Sequence, residues 1–397
     1  MGAGSSVGKN TPPSTEGGTP TSPDTEKLLK GREAWRKGRG EFYSWLDQTV
    51  EDAIEPELEI VDPHHHAWDM RELNGYNLFG LFKQQYYMTD ELIEDFVFGG
   101  HRITHSVYIE AHSFVSKDVD PLMAPLGEVE MAQGIAAQFA SGKYGNTRAA
   151  AAIVGTADLE KYGATVEPLL IACKAASRNY RGIRCSAQHD PNLSEKFQVS
   201  EPSKYAKPKF REGFALLEKH ALVFDAFVFS TQLSDLHELA LAFPGTTIVI
   251  NHQGAPIAAL GDYGPAPSYN GKQPEIIAKW KEEMGRIAKD CPNVFVKVGG
   301  FMPQLGHSFD KREKPITSEE LASAVSEMCL WTIQTFGASR CMFESNFPVD
   351  KVNISYTVLW NAFKRMTKDA GISDEDRGLL FSGTAKRVYR IGEPNVV

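Results

Sequence analysis

The amino-acid sequence predicts an α/β fold, a single (β/α)8 TIM barrel carrying a disordered N-terminal extension. Three observations carry this. Eight short β-rich runs alternate with helical stretches from residue 58 onward. Polar side chains gather where those runs end, and a barrel builds its active site from those ends. No G-x-G-x-x-G or G-x-x-x-x-G-K-[ST] loop follows an early run, which argues against an open doubly wound sheet.

The runs, in order, are 59–66, 103–110, 149–156, 181–186, 221–227, 246–252, 294–299 and 341–346. The first ends in Asp62-Pro63-His64-His65-His66 and the second in Glu110-Ala111-His112. The fourth carries Arg184, with His189 just beyond. The sixth ends in Asn251-His252, the seventh carries Lys297, and the eighth runs out through Glu344-Ser345-Asn346-Phe347-Pro348. Helical stretches are predicted near 89–100, 127–142, 158–178, 209–220, 233–243, 273–290, 317–337 and 373–390. The last follows a segment read as loop-rich. Thr89-Asp90-Glu91 and Ser234-Asp235 supply helix starts.

The 397 residues are long enough for two or three domains, yet barrels of this length fold as one. The reading divides the chain into a tail and basic neck, 1–40, and a barrel, 41–397. Net charge is −9, which lacks the basic footprint of a nucleic-acid binder. Five widely spaced cysteines with no C-x-x-C support neither a disulfide framework nor a zinc knuckle, and fit a reducing, cytoplasmic setting. No apolar run has the length of a membrane span, and the start lacks the apolar core of a secretory signal.

Residues 1–26 are Gly, Ser, Thr and Pro with hardly any bulky apolar side chain, so they are expected to be disordered. Met1-Gly2-Ala3-Gly4-Ser5-Ser6 fits the myristoylation pattern at Gly2. Lys27, Lys30, Arg32, Arg36, Lys37 and Arg39 follow, and a basic patch beside an acyl chain would give weak membrane association. The other reading is a flexible tail and a solvated helix that docks Trp35, Phe42 and Trp45 on the barrel.

Strand alternation places Asp62, His64 and His66 on one face and His65 on the other. An H-x-H on a strand aims two imidazoles into one space, where they suit a metal ion or a substrate oxygen. The longer string Val61-Asp62-Pro63-His64-His65-His66-Ala67-Trp68-Asp69 resembles the first-strand signature of the amidohydrolase superfamily. The similarity is to its amidohydrolase-related, lactonase-like branch, which includes fuconolactonase and pyrone-dicarboxylate lactonase. Four more strings agree in order: Arg181-Gly182-Ile183-Arg184, Asn251-His252-Gln253-Gly254, Val296-Lys297-Val298-Gly299-Gly300, and 340–350.

The resemblance implies a hydrolase of cyclic esters or amides. It implies His64, His66 and His252 as ligands of one divalent ion, zinc first, or of none. Arg184 stands where a bridging lysine would be needed, and the fifth run has no histidine, so a two-metal site is not expected. The superfamily's strand-eight aspartate falls at Asn346, and an amide cannot act as a general base. Glu344 shares the face of Asn346 and is expected near Asp62, where two buried acids would push one pKa up. A Glu344–Lys297 ion pair below the site is the structural reading of the same residues. Asp350 and Glu110 are further candidates for the base.

The expected reaction opens a lactone, or a related cyclic ester or amide, of a small anionic or sugar-derived substrate. The expected catalytic residues are His64, His66, His252, Asn346 and Glu344. Arg184, Lys297, Glu110 and Trp68 would bind substrate, the two cations pairing with a carboxylate or oxyanion. A metal-dependent decarboxylase on the same barrel is one alternative, and a non-catalytic ligand-binding protein another.

Overall fold

The computed structural model describes residues 40–71, 84–193 and 199–393. The expected tail disorder, the Gly2 acylation site, the basic neck through Arg39, and Trp35 lie outside the described residues. So do parts of two loops at the strand ends, 72–83 and 194–198.

The barrel strands are β1 (Glu59–His65), β2 (Arg102–Ile109), β3 (Arg148–Thr156), β4 (Tyr180–Arg184), β5 (Val223–Ala226), β6 (Ile248–Ile250), β7 (Val294–Val298) and β8 (Cys341–Phe343). They form one sheet in chain order, and every neighbouring pair is parallel. The eight predicted runs and the eight strands coincide at their centres. The ring closes beyond the end of β8. His65 bridges Phe347, the Asn346 amide donates to the His64 carbonyl at 2.9 Å, and the His66 amide donates to the Phe347 carbonyl at 2.8 Å. The histidine string and the 344–348 string are thus each other's neighbours.

Apolar strand residues fill the lower interior: Val61, Val107, Val154, Val223, Val249 and Met342 pack with Ala385, Val388 and Tyr389. The last three come from the helix Thr384–Val388 and the residue after it, which cover the floor. At the edge, the helix Gly40–Leu46 buries Tyr43 and Leu46. Trp45 Nε1 donates to the Arg312 carbonyl at 3.2 Å, and the Phe42 side chain is outside the description.

Three elements depart from expectation. The helix predicted at 158–178 is broken into Leu159–Tyr162, a 3-10 turn Gly163–Val166 and Glu167–Ala176. Gly163 adopts φ 53°, and the Gly163 carbonyl lies where any side chain at Gly213 would begin, 2.9 Å away. The helix predicted at 373–390 carries a π turn at Leu379–Gly383. The segment read as loop-rich contains a fourteen-residue helix, Tyr356–Asp369, capped by the Ser355 side chain. Its buried face includes Asn361 and Lys364, which bond the 51–55 segment and interrupt the apolar stripe.

Candidate active site and metal centre

Three imidazoles meet at the open end of the barrel: His64 and His66 from β1 and its continuation, and His252 from the turn after β6. His252 was expected inside the sixth strand. The strand stops at Ile250, and His252 and Gln253 both take φ 54°. Asn346, beyond the short β8, takes φ 55°. Non-glycine residues held in this region mark sites whose surroundings over-determine them.

Each ring has its Nδ1 engaged. His66 Nδ1–H donates to the Ile109 carbonyl at 2.9 Å. His252 Nδ1–H donates to Glu344 Oε1 at 2.8 Å. His64 Nδ1 lies 2.8 Å from Glu344 Oε2 and 3.3 Å from Lys297 Nζ. The Glu344 carboxylate orients His252 and fixes its tautomer, leaving Nε2 for a ligand, while His64 Nδ1 sits between that carboxylate and the Lys297 ammonium. His64 Nε2 and His66 Nε2 stand 3.2 Å apart. Two ligands at ~2.05 Å around one tetrahedral zinc would be separated by about 3.3 Å, so the pair fits a single ion. Burial, with Lys297 beside it, holds His64 well below the usual imidazole range; burial and Arg184 do the same for His66. Neutral imidazole is the metal-binding form. Donor atoms of His64, His252 and Glu344 also lie within 4.8 Å of one another. The expected trio is thus brought together, with Glu344 as a fourth member.

Glycines make this packing possible. A side chain at Gly300, which has φ 67°, would begin 2.1 Å from His252 Nδ1. One at Gly299 would begin 2.5 Å from the Glu344 carbonyl oxygen and 2.7 Å from its Cγ. The Gly-Gly of the fourth motif is the gap into which His252 and Glu344 fit.

Arg184 lies over the imidazoles. Its Nε donates to Glu110 Oε1 at 2.6 Å, its Nη2 to the Glu110 carbonyl at 2.7 Å, and its Nη1 lies 3.5 Å from His64 Nε2. Glu110 Oε2 in turn meets His112 Nε2 at 3.0 Å. Trp68 is buried, stacks on His66 with centroids 5.7 Å apart, and donates Nε1–H to the Gln84 carbonyl. It is a wall behind His66.

Three expected placements are corrected. Asp62 does not approach Glu344. The β1–β2 register shifts between Asp62 and His65, around Pro63, and Asp62 instead receives the Ser345 amide at 3.1 Å and the Tyr356 hydroxyl at 3.0 Å. Burial lifts its pKa to about 6. Lys297 is not open to a substrate carboxylate and does not pair with Glu344. Its ammonium is fully buried and forms an ion pair with Asp225. Asn251 Nδ2 donates to Asp225 Oδ1 at 2.8 Å, and the Tyr389 hydroxyl lies within 3.0 Å of both Asp225 oxygens. Asp225 and Tyr389 were missed. The signal for Asp225 was available: a lysine inside a barrel needs a carboxylate, and Asp225 is the one acid of the 221–227 run. Finally, the Asn346 amide is tied down, donating Nδ2–H to Asp350 Oδ1 at 2.9 Å. Burial holds the Asp350 carboxyl well above the ordinary carboxylate range, which suits an acid better than a base.

The sequence profile of the amidohydrolase family matches residues 61–391. The chain belongs to that family. This amidohydrolase is 31% identical over 346 residues to the protein y4mH of Sinorhizobium fredii, covering 84% of the chain and 99% of the relative. It is 26% identical over 344 residues to L-fucono-1,5-lactonase of Burkholderia ambifaria, covering 84% and 97%. An amidohydrolase of Burkholderia multivorans solved with zinc bound shares the fold, with a TM-score of 0.61 at 22% identity over 84% of this chain and 99% of that one. These relatives put the amidohydrolase in the lactonase-like branch, and its class is hydrolase. Among the described residues, no helix is long and apolar enough to cross a membrane.

Proposed function

We propose that this amidohydrolase opens a lactone, or a related cyclic ester, by attack of water on the ring carbonyl. The observation that carries the reading is the set of three imidazoles whose Nδ1 atoms are engaged and whose Nε2 atoms are left for a guest. The lactonase named among the relatives supports the substrate class, and the zinc-bound neighbour supports zinc as the ion. His64 and His66 would hold the ion, and His252 stays outside the set to act as a base; zinc there would polarise the carbonyl and acidify water.

The chain's own groups do the rest. The substrate carbonyl faces the His64–His66 edge, and the Arg184 guanidinium stabilises the charge that develops on its oxygen or grips a substrate carboxylate. Asn346 gives one Nδ2–H to Asp350, which fixes its carboxamide, and the amide oxygen orients the water as an acceptor. His252, backed by the Glu344 carboxylate, takes the proton at Nε2 and returns it to the leaving alkoxide. The ring opens to a hydroxy acid.

A panel of sugar and carboxylated lactones, assayed by acid release beside metal analysis of the same preparation, tests this. Turnover of a lactone that is lost in His64→Ala supports it. Carbon dioxide release from a carboxylated member would replace it with a decarboxylase. Tight binding with no turnover would replace it with a ligand-binding protein. Activity retained with zero metal would remove the zinc.

A further inference from the structure

One cavity among the described residues lies away from the imidazoles. It has a volume of about 1030 Å³ and opens at the other end of the barrel, against the starts of β3 and β4 and the helices Leu126–Ala140 and Glu167–Ala176. Its apolar lining is mostly small side chains, Ala136, Ala140, Ala149, Ala151 and Ala175, with Ile171 and Ile391 beside them. The helix-to-strand contact that larger residues fill elsewhere, such as Phe139 and Leu170, is left open here.

Four permanent cations, Arg148, Lys174, Arg178 and Arg181, also line the cavity, against a single carboxylate, Glu393. Three have carbonyl acceptors, Lys174 donating to that of His220 at 3.4 Å. Arg148 donates to the carbonyls of Phe139, Gly145 and Thr147. Arg181 donates to the carbonyls of Arg178, Tyr180, Arg390 and Glu393. For Arg148 and Lys174, carbonyls satisfy hydrogens but do not neutralise charge. Among the described residues no ion pair joins Arg148, Lys174 or Arg178 to a carboxylate, while His220 at the margin is already matched by Glu167. Burial, with Arg390 nearby, pushes Arg181 down to about 10. This excess of positive charge stands on a chain of net charge −9.

We propose that this cavity is a second ligand site, separate from the imidazole centre, for a small amphipathic anion: a carboxylate head on an aliphatic body. The head meets Arg148, Lys174 and Arg178, and guanidinium groups suit a carboxylate through paired N–H donors. The body lies on the alanine surface, where its burial supplies the apolar part of the affinity.

Decanoate is the probe, titrated into the full chain by calorimetry. Arg178→Glu reverses a charge at an exposed position, and Ala175→Trp fills the groove from an exposed helix position, so both leave the core intact. Wild type is expected to bind one decanoate, and each variant to bind at least about tenfold more weakly. Inorganic phosphate, a head without a body, is expected to bind at least about tenfold more weakly than decanoate. His66→Ala, at the opposite end, is expected to leave the isotherm unchanged. The proposal is overturned by absent decanoate binding, by equal affinity in both variants, by phosphate binding as tightly as decanoate, or by loss of binding in His66→Ala.

Discussion

Two layers of the barrel interior hold polar groups out of water, and they are built on opposite principles. In the lower layer, Lys297 meets Asp225, and Asn251 and Tyr389 close around the carboxylate. Charge is matched by charge inside the fold. In the upper layer, His64 Nε2 and His66 Nε2 meet at 3.2 Å, the separation of two ligands on one ion. Burial alone therefore does not distinguish structure from function here. The kind of partner does: a fixed counter-charge below, and facing imidazole nitrogens at ion-binding distance above.

The contrast can be broken by mutation. The largest effect is expected for Asp225→Ala, which strands the Lys297 ammonium and costs about 3–5 kcal/mol in a denaturant titration. Replacing both members, Asp225→Leu with Lys297→Met, should recover most of that loss. His66→Ala should act the other way round, lowering hydrolysis by about 100-fold or more with its ion lost, while the denaturation midpoint shifts far less than in Asp225→Ala. Glu344→Gln keeps the shape but weakens the orientation of His64 and His252. Metal affinity, read by chelator competition, should fall about 10–100-fold.

Acid separates the imidazoles from the carboxyls. Burial, with Lys364 beside it, holds His101 down to about 3, and burial holds His65 down to about 4. The unfolded chain protonates both near 6.5, so between there and pH 4 it binds protons that the folded state refuses. Stability contributed by these groups is full above pH 6.5 and falls as pH falls. Asp62, lifted to about 6, works in the opposite sense between pH 6 and 4. His64 and His66 add to the first effect and Asp350 to the second; with four imidazoles against two carboxyls, the urea midpoint is expected to be lower at pH 4.5 than at pH 7. The difference should shrink in His101→Gln. The smallest effect belongs to Tyr389→Phe, which keeps the ring and removes one hydroxyl from a carboxylate that retains Lys297 and Asn251; about 1 kcal/mol is expected.

What could be read from the sequence was local or periodic. The strand centres followed from β-rich runs, and the imidazoles and Arg184 followed from their places at run ends. What could not be read depended on distant partners. Asp62 looked interior by alternation, but Pro63 and the register shift turned it to Ser345 and Tyr356. Lys297 looked available because its partner, Asp225, is 72 positions away. Tyr389 reaches Asp225 from 164 positions away, across the barrel floor. The helix at 356–369 was hidden because Asn361 and Lys364 face inward to bond backbone and carboxylate groups of the 51–55 segment.

The clasp that closes the ring also governs when the enzyme comes into being. The Ser345 hydroxyl and the His64 carbonyl it reaches are 281 positions apart, and closing a loop of that span carries a large entropy cost. Glu344 cannot orient His64 until β8 has docked beside β1. The ribosome releases the histidine pair long before the carboxylate that aims it. Catalytic competence and completed folding therefore coincide: a chain arrested or unfastened at β8 carries all three imidazoles and has no site.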